Sequence, residues 1–246
     1  MSENLNPLQG IQIPAQPHII AEIKEASDDI KKVSTLISQD PSIAAAVLKI
    51  INSAAFGFKA QISSIERAVM LLGMVRIQAL VNSQVLKSSL TGLDAQEATA
   101  FWDSANDVAM ASYLLATELR REEINIDDAY TVGLFHNCGI IAMAQKNEGY
   151  LSVVREAYQQ NDGADLTALE DIRFQCNHAL VGYHIAKNWR LPEHLTQVIL
   201  HHHDLTYINQ GVMDDNADTF RMLAVLKAAE HISGLRMSLG LSLIHI

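Results

Sequence analysis

Residues 129–144 read AYTVGLFHNCGIIAMA, an apolar run whose second half contains only two strongly polar side chains, His136 and Asn137. Apolar residues recur at intervals of three and four, and the carboxylates of Asp127 and Asp128 stand where they complement a helix N-terminus. We therefore predict one buried helix over this run. A buried polar group costs about 1–3 kcal/mol unless it finds a partner. His136 and Asn137 must therefore meet other polar groups, a metal or water in the interior.

The composition suits a compact soluble protein of one or two domains. The chain has 246 residues, of which 49% are hydrophobic and 19% are charged, enough for a sizeable core. Its two cysteines, Cys138 and Cys176, lie within apolar helical patterns. We therefore expect reduced thiols rather than a disulfide framework.

Charge and hydropathy exclude several classes of function. The chain has 18 basic and 28 acidic residues, a net charge of −10, which argues against nucleic-acid binding because that relies on clustered Lys and Arg. No run reaches the ~18 apolar residues of a membrane span, and the opening MSENLNPLQG lacks the features of a signal peptide. We expect a cytoplasmic protein with no membrane partner. The apolar ending LSLIHI indicates either a truncated chain or a tail that docks onto the body or a second subunit.

Helix start and stop signals recur along the chain, whereas strand signals are nearly absent. Asp40 can cap the free amides of a helix whose first residue is Pro41. Ser63 and Glu66 are spaced as a capping box ahead of a helix that ends at Gly73. These signals predict an all-α fold.

A break at Thr91-Gly92 separates two groups of predicted helices. We predict a helical N-terminal subdomain over residues 1–92 and a helical bundle over residues 93–246. The first 17 residues, with their prolines, are expected to form an extended strap on the surface.

Seven segments of the chain also stand in the order of a known family. They are IPAQP (13–17), LISQDPSIAAAVLKIINSAAFG (36–57), ISSIERAVMLLG (62–73), FW (101–102), LFHNCG (134–139), NHALVGYHIAKNWRLPEHL (177–195) and HHHD (201–204). In this order they resemble the HDOD (HD-related output domain) proteins of bacterial signalling, a divergent branch of the HD phosphohydrolase superfamily. The resemblance implies an N-terminal helical subdomain packed on an HD-type helical bundle.

Catalytic HD enzymes build a metal site from a first His, an adjacent His-Asp pair and a later Asp. Here the first-His position falls near Ser104, the pair is His136-Asn137, and Glu230 stands where an Asp is expected. Further histidines resemble those of the phosphodiesterase branch: His178, His184, His202 and His203. The resemblance implies a degenerate HD-type pocket formed by Ser104, His136, Asn137, His178, His202 and Glu230.

The chemistry of these residues disfavours a hydrolytic metal. Mg²⁺ and Mn²⁺ need anionic oxygen ligands, which Ser104 and Asn137 do not supply. A softer ion such as Zn²⁺ or Ni²⁺ could be held by His136, His178 and His202 if they converge. The alternative, which we favour, is a set of neutral histidines bonded to each other, to Asn137 or to water. We therefore expect no bound metal, no cofactor and no catalytic residue.

Helical geometry separates the histidines that are close in sequence. Successive side chains on a helix are ~100° apart, so His201–His203 would span about 200° and could not share one ion. His178 and His184, six residues apart, lie on different faces of their helix. We predict that one of these two is in the core and the other at the surface.

The sequence thus favours a non-enzymatic bacterial signal-transduction module that acts through protein–protein contacts. Its expected partners are signalling proteins, and a homo-oligomer is an open alternative. The rival function is a metal-dependent phosphohydrolase or phosphodiesterase with a reduced His-rich site. That function would require Glu230, Asp204 or Asp107 to replace the missing carboxylates.

Overall fold

The computed structural model describes residue 8, residues 10–53, 56–58, 60–89, 95–161 and 166–204, residue 207 and residues 217–238. Every regular element in this part of the chain is an α-helix, which confirms the all-α prediction. The helices are α1 (His18–Glu25), α2 (Ile30–Gln39), α3 (Pro41–Ile51), α4 (Ile65–Leu72), α5 (Met74–Ser89), α6 (Ala95–Leu119), α7 (Ile126–Phe135), α8 (Cys138–Lys146), α9 (Tyr150–Asn161), α10 (Leu166–Phe174), α11 (His178–Asn188), α12 (Glu193–His201) and α13 (Ala217–Ser238).

The start of α3 follows the predicted cap. The carboxylate oxygen Oδ1 of Asp40 accepts hydrogen bonds from the backbone N–H groups of Ser42 at 2.9 Å and Ile43 at 3.1 Å. Pro41 is the first helical residue. Asp40 therefore supplies an acceptor to amides that have no partner within the helix.

The predicted capping box before α4 is wrong by one residue. The cap is Ser64, whose hydroxyl accepts from the backbone N–H of Arg67 at 3.3 Å, rather than Ser63. The reason lies in Asn52, whose side chain bonds both the N–H and the C=O of Ile62 at 2.7 Å. This pair of bonds holds the chain extended beyond the buried Ile62, so the helix begins one residue later.

The run over residues 129–144 is two helices, and the prediction of one continuous helix is wrong. α7 ends at Phe135 and α8 begins at Cys138. At the break, Nδ1 of His136 lies 2.8 Å from the carbonyl oxygen of Gly133. A continuing helix would offer that carbonyl to the backbone N–H of Asn137, so the His136 ring takes over an acceptor at the helix end. The apolar pattern continues across the break because both helices are buried.

Two groups of helices meet along α5. In the first group, α2, α3 and α4 contact one another. In the second group, α6, α7 and α13 contact one another. α5 contacts helices of the first group and of the second group. On α5, Nε of Arg76 lies 2.8 Å from Oδ1 of Asp127, and its guanidinium group lies 4.8 Å from the ring centroid of Tyr113. The predicted boundary at Gly92 lies outside the described residues, so the division into residues 1–92 and 93–246 stays a prediction.

The lead-in before α1 is tied to the end of α11. The carbonyl oxygen of Pro14 accepts from Trp189 Nε1 at 2.9 Å and from Asn188 Nδ2 at 3.0 Å. Gln16 Nε2 donates to the carbonyl oxygen of Trp189 at 3.1 Å. Residues 14–16 therefore lie on the surface of the bundle against the end of α11, as predicted for part of the lead-in.

No single helix of the described segments combines the length and the apolar character that crossing a membrane requires. The α4–α5 pair meets the criterion only when both helices are taken together, and a bend of 117° separates them.

Helices α8 and α11 approach each other closely at Gly139. A Cβ atom added at Gly139 would lie 2.0 Å from the carbonyl oxygen of His178 and 2.7 Å from the backbone nitrogen of Gly182. Both of these atoms belong to a helix backbone, which cannot turn aside as a side chain can. Because Gly139 has no side chain, α8 and α11 can approach closely enough for His178 to lie beside the break between α7 and α8.

Gly139→Ala should therefore lower the free energy of unfolding by about 1–3 kcal/mol, the usual cost of overpacking a core. Gly234 on α13 is the matched control because nothing lies within 4 Å of a Cβ added there. Gly234→Ala should be neutral or raise the stability by up to about 1 kcal/mol, since Ala favours helix over Gly. The measurement is chemical denaturation, and equal midpoints for the two variants would contradict this account of the crossing.

Candidate functional site: a buried histidine cluster

Two histidines end their helices in the same way. His136 follows α7 and His202 follows α12, and each places Nδ1 against the carbonyl oxygen three residues earlier. The distances are 2.8 Å to Gly133 and 2.7 Å to Ile199. A carbonyl oxygen only accepts, so Nδ1 carries the hydrogen in both rings. In a neutral ring the lone pair then lies on Nε2, which faces the interior.

A buried carboxylate orients the third histidine. His178 is the first residue of α11, and its backbone N–H and its Nδ1 lie 3.0 and 2.8 Å from Oε2 of Glu170 on α10. The Tyr150 hydroxyl donates to Oε1 of the same carboxylate. Glu170 and His178 are both completely buried. Three donors around one carboxylate offset the cost of removing it from water.

The ring nitrogens of three histidines converge. Nε2 of His178 lies 3.3 Å from Nε2 of His202, and the latter lies 3.2 Å from Oδ1 of Asn137. The ring centroid of His203 is 5.0 Å from that of His178 and 4.3 Å from that of His202. One ring nitrogen from each of the three lies within 4.8 Å of the other two. We call His178, His202 and His203 the histidine cluster.

His136 lies beside this cluster and contacts the Glu230 carboxylate instead of the cluster nitrogens. Its Nε2 lies 3.4 Å from Oε1 of Glu230 on α13, whose Oε2 is 2.6 Å from Nζ of Lys227. The ring centroids of His136 and His202 are 5.5 Å apart. The end of α7 is thereby connected both to α13 and to the edge of the cluster.

Burial disfavours the charged form of three of these rings. It lowers the pKa of His136 below the usual value, although the nearby Glu230 carboxylate acts in the opposite direction. Burial, together with the neighbouring histidines, lowers the pKa of His202 well below its usual value, and burial lowers that of His203 to about 2. His202 and His203 are therefore neutral rings, each with one N–H group and one lone pair.

The structure brings five of the six predicted pocket residues into this chain of contacts: His136, Asn137, His178, His202 and Glu230. The sixth, Ser104, lies partly buried on α6, which packs against α7 and α13. His178 is fully buried, whereas His184 is partly exposed.

As predicted, the three histidines His201–His203 do not converge on one point, although the helical spacing assumed for them does not extend beyond His201. The helix ends there, so His202 and His203 both turn towards His178. His201 instead stacks on Tyr207 with a centroid distance of 3.8 Å. The ligand set that the sequence favoured for a soft ion contained His136, whereas the structure places His203 in that position.

Two buried partners of the cluster were missed by the sequence analysis, Glu170 and Tyr150. Glu170 stands eight residues before His178 in the segment LTALEDIRF, where its neighbours are polar enough to suggest a solvated face. Tyr150 opens α9, and nothing in its local sequence distinguishes it from a core aromatic residue. Only the packing of α9, α10 and α11 brings them to His178.

The HD superfamily implies a divalent metal at the His136-Asn137 pair, but the residues there do not fit a hard cation. Position 137 offers a neutral amide, and Glu230 is paired with Lys227. Glu170 lies behind His178 and is occupied by its three donors. A Mg²⁺ or Mn²⁺ site needs several anionic or neutral oxygen ligands around one ion, and these contacts do not provide them.

The HDOD domain profile matches residues 13–205, which is most of the chain. The chain belongs to the HDOD family. The described helices and the order of the sequence segments agree with this assignment, so the resemblance predicted from the sequence is confirmed.

Individual relatives of this HDOD chain are distant. A curated protein of Treponema pallidum (strain Nichols), described as uncharacterized, is 29% identical over 199 residues, and the match covers 79% of this chain but 38% of that protein. An HDOD domain protein of unknown function from Geobacter sulfurreducens has a crystal structure that is 26% identical, with a TM-score of 0.70 over 94% of this chain and 76% of that chain. A protein of Shewanella amazonensis SB2B, provisionally named a phosphohydrolase, is 23% identical with a TM-score of 0.71 over 94% and 81% of the two chains. At that identity the last similarity shows the fold alone.

His136→Ala or Asn137→Leu should destabilise the HDOD chain by about 1–3 kcal/mol, the usual cost of leaving a buried donor or acceptor unpaired. The first variant removes the partner of the Gly133 carbonyl and of Glu230, and the second removes the partner of His202. His231→Ala is the control, since His231 is exposed on the same helix as Glu230. Chemical denaturation decides the matter: wild-type midpoints for both pocket variants would show that the pair does not stabilise the fold.

Proposed function

We propose that this HDOD chain is a bacterial signal-transduction module that hydrolyses no phosphate ester and acts through contacts with other proteins. The observation that carries the proposal is the state of the residue pair that corresponds to the catalytic His-Asp pair. The His136 ring lies between the Gly133 carbonyl oxygen and the Glu230 carboxylate, and the carbonyl oxygen of the Asn137 side chain faces His202. These groups are used to hold helices together.

The charges of the residues around His136 also argue against phosphate-ester hydrolysis. A hydrolytic metal site must lower the pKa of a bound water and stabilise charge that develops on phosphate oxygens. That task requires a metal held at the reacting centre by strong ligands. Asn137 supplies no charge, and the Glu230 carboxylate is compensated by Lys227. Asp204, another carboxylate that hydrolysis might use, is exposed and accepts from the backbone N–H of Tyr207 at 2.9 Å.

The described surface offers apolar area for protein contacts. Met70 is 58% exposed, Leu71 40% and Val75 44%, and all three lie at the bend between α4 and α5. Exposed apolar residues that are grouped in this way are typical of surfaces that bind other proteins. The partners we propose are other signalling proteins, and self-association is the simplest variant of the same mode.

The second candidate is a metal-dependent phosphohydrolase, and one specific observation favours it. The ring nitrogens of the histidine cluster are close enough to hold an ion. An ion held by three neutral imidazoles keeps its positive charge and can polarise a water or a phosphate oxygen. This candidate and the signalling module differ in whether any substrate is turned over.

No phosphodiester, nucleotide or phosphomonoester substrate should be hydrolysed by the purified protein, with Mn²⁺, Mg²⁺ or Zn²⁺ added or absent. Asn137→Asp should also be inactive, since restoring one carboxylate leaves Ser104 at the first-His position. The readout is release of product in multiple turnovers, with a catalytic HD enzyme as the positive control. Hydrolysis that is lost in His136→Ala, with the variant still folded by circular dichroism, would overturn the non-enzymatic assignment.

Contact with other proteins is tested in living bacteria and then with purified components. The chain should be recovered after reversible crosslinking in a discrete complex, and the purified partner, or the chain itself, should bind it saturably. The pair Met70→Asp and Val75→Asp should weaken that binding without lowering the thermal midpoint, because both side chains are exposed. Ile172→Asp on α10 is the matched control, since Ile172 is 80% exposed. A chain that stays monomeric and binds no purified candidate would refute the proposed mode of action.

A further inference from the structure

The first turns of three helices meet at the side chain of His194. His194 is the second residue of α12, and its Nε2 lies 2.8 Å from Oδ2 of Asp128 in the first turn of α7. Asp218, in the first turn of α13, adds its negative charge at the same ring. The helices α7, α12 and α13 also contact one another. His194 is thus a basic side chain at a junction of three helix starts.

The position of His194 in α12 disfavours a positive charge unless carboxylates compensate it. The N-terminal end of a helix carries a partial positive charge, which repels a protonated imidazole in the first turn. α12 begins at Glu193, and the preceding Pro192 gives it no side-chain cap. Asp128 and Asp218 stabilise the starts of their own helices and attract the proton of His194 at the same time. A proton on this ring therefore joins three helices through charge.

The junction is open enough for its proton to exchange with solvent. The side chain of His194 is 33% exposed and that of Asp128 is 16% exposed. His178 and His202, by contrast, are fully buried. Because histidine changes its charge near neutral pH, the charge on a ring that reaches solvent follows the pH of the surroundings.

Other charged groups near the junction have partners of their own. Asp218 also accepts a hydrogen bond from Arg221 at 2.7 Å. The remaining helix that packs on α12 is α11, and its His184 and Lys187 both lie beside Tyr183. His178, at the start of α11, faces Glu170. Asp128 is therefore the carboxylate that acts directly on His194.

We propose that His194 is a pH-sensitive joint, which in its protonated form holds the start of α12 against the starts of α7 and α13. The neutral ring can still donate from Nε2 to Asp128, so loss of the proton loosens the joint without breaking it. The inference does not rest on the proposed function, because it concerns contacts within the chain. For a signalling module, such a joint supplies a response to pH.

The first turn of α7 connects this joint to the N-terminal group of helices. Asn125 Oδ1 accepts from the backbone N–H groups of Asp127 at 2.9 Å and Asp128 at 3.1 Å. Asp127 faces Arg76 on α5, whereas Asp128 faces His194 on α12. One capped turn thus presents adjacent carboxylates to two helices. A change at His194 acts on the same turn that contacts α5.

The direction of the response follows from the pKa of His194. The hydrogen bond to Asp128 raises this pKa above the ordinary histidine value, and burial opposes the increase to a smaller extent. A group whose pKa is raised by folding binds its proton more tightly in the folded state. The joint therefore contributes its full stability below the ordinary histidine pKa and loses that contribution as the pH rises through the raised value.

The test is an NMR titration of the full chain between about pH 5.5 and about pH 8.5, a range that brackets the ordinary histidine pKa. The His194 ring of the wild type should titrate above that ordinary value. Backbone amide signals in the first turns of α7 and α13 should titrate with the same midpoint as the ring. Asp128→Asn should lower the midpoint, because it removes the charge and keeps the size of the side chain.

A second measurement separates a proton-dependent joint from a merely structural contact. The difference in thermal midpoint between the wild type and His194→Gln should be largest at about pH 5.5 and should shrink towards about pH 8.5. A structural contact alone would give a difference that stays constant over this range. His18→Gln is the matched control, because His18 pairs with Glu22 within α1 at 3.3 Å. This control should leave the titration of the α7 and α13 amides unchanged.

A His194 ring that titrates at or below the ordinary histidine value in the folded wild type would overturn the joint. An unchanged midpoint in folded Asp128→Asn would also overturn it. The wild-type titration decides the matter even if that variant does not fold. Because neither measurement involves hydrolysis or a partner protein, failure of the joint leaves the proposed signalling function intact.

Discussion

The hydrogen bond from a histidine Nδ1 to the carbonyl three residues earlier is the interaction on which the interior of this protein depends. It occurs at the end of α7 and again at the end of α12. In each case the ring removes an acceptor that the next turn of helix would use, so the chain can change direction inside the core. The same bond fixes the tautomer, and the remaining nitrogen then has to find a partner in the centre of the bundle.

The second constraint is the contact of α8 with α11. Gly139 allows the two backbones to approach so closely that the start of α11, and with it His178, comes beside the break between α7 and α8. His178 in turn brings in α10 through Glu170 and α9 through Tyr150. Helices α9, α10 and α11 therefore contribute polar groups to one interior beside the break between α7 and α8.

The sequence predicts features whose cause is local. The all-α class and the Asp40 cap follow from periodicity and from the chemistry of one side chain. His136 and Asn137 stand out because polar groups in an apolar run need partners. The break between them is not predictable from the pattern, because both helices are buried and the apolar period continues through it. The turn of His202 and His203 towards His178 is not predictable from helical spacing, because the helix ends at His201. Glu170 carries no local sign of its burial because its three donors come from tertiary packing.

The amide at position 137 also explains how four histidines can share one interior. A carboxylate there would lie about as close to His202 as Asn137 Oδ1 does, 3.2 Å from Nε2, and would favour the protonated ring. The other three rings pack around His202, so a second proton on any of them would be opposed by charge repulsion. The neutral amide does not favour the charged ring, and burial lowers the pKa of His202 well below its usual value. The two carboxylates that do enter this interior, Glu170 and Glu230, have their own donors or a lysine beside them. The interior around position 137 is therefore rich in nitrogen and poor in free anionic oxygen, which disfavours a hard metal such as Mg²⁺ or Mn²⁺.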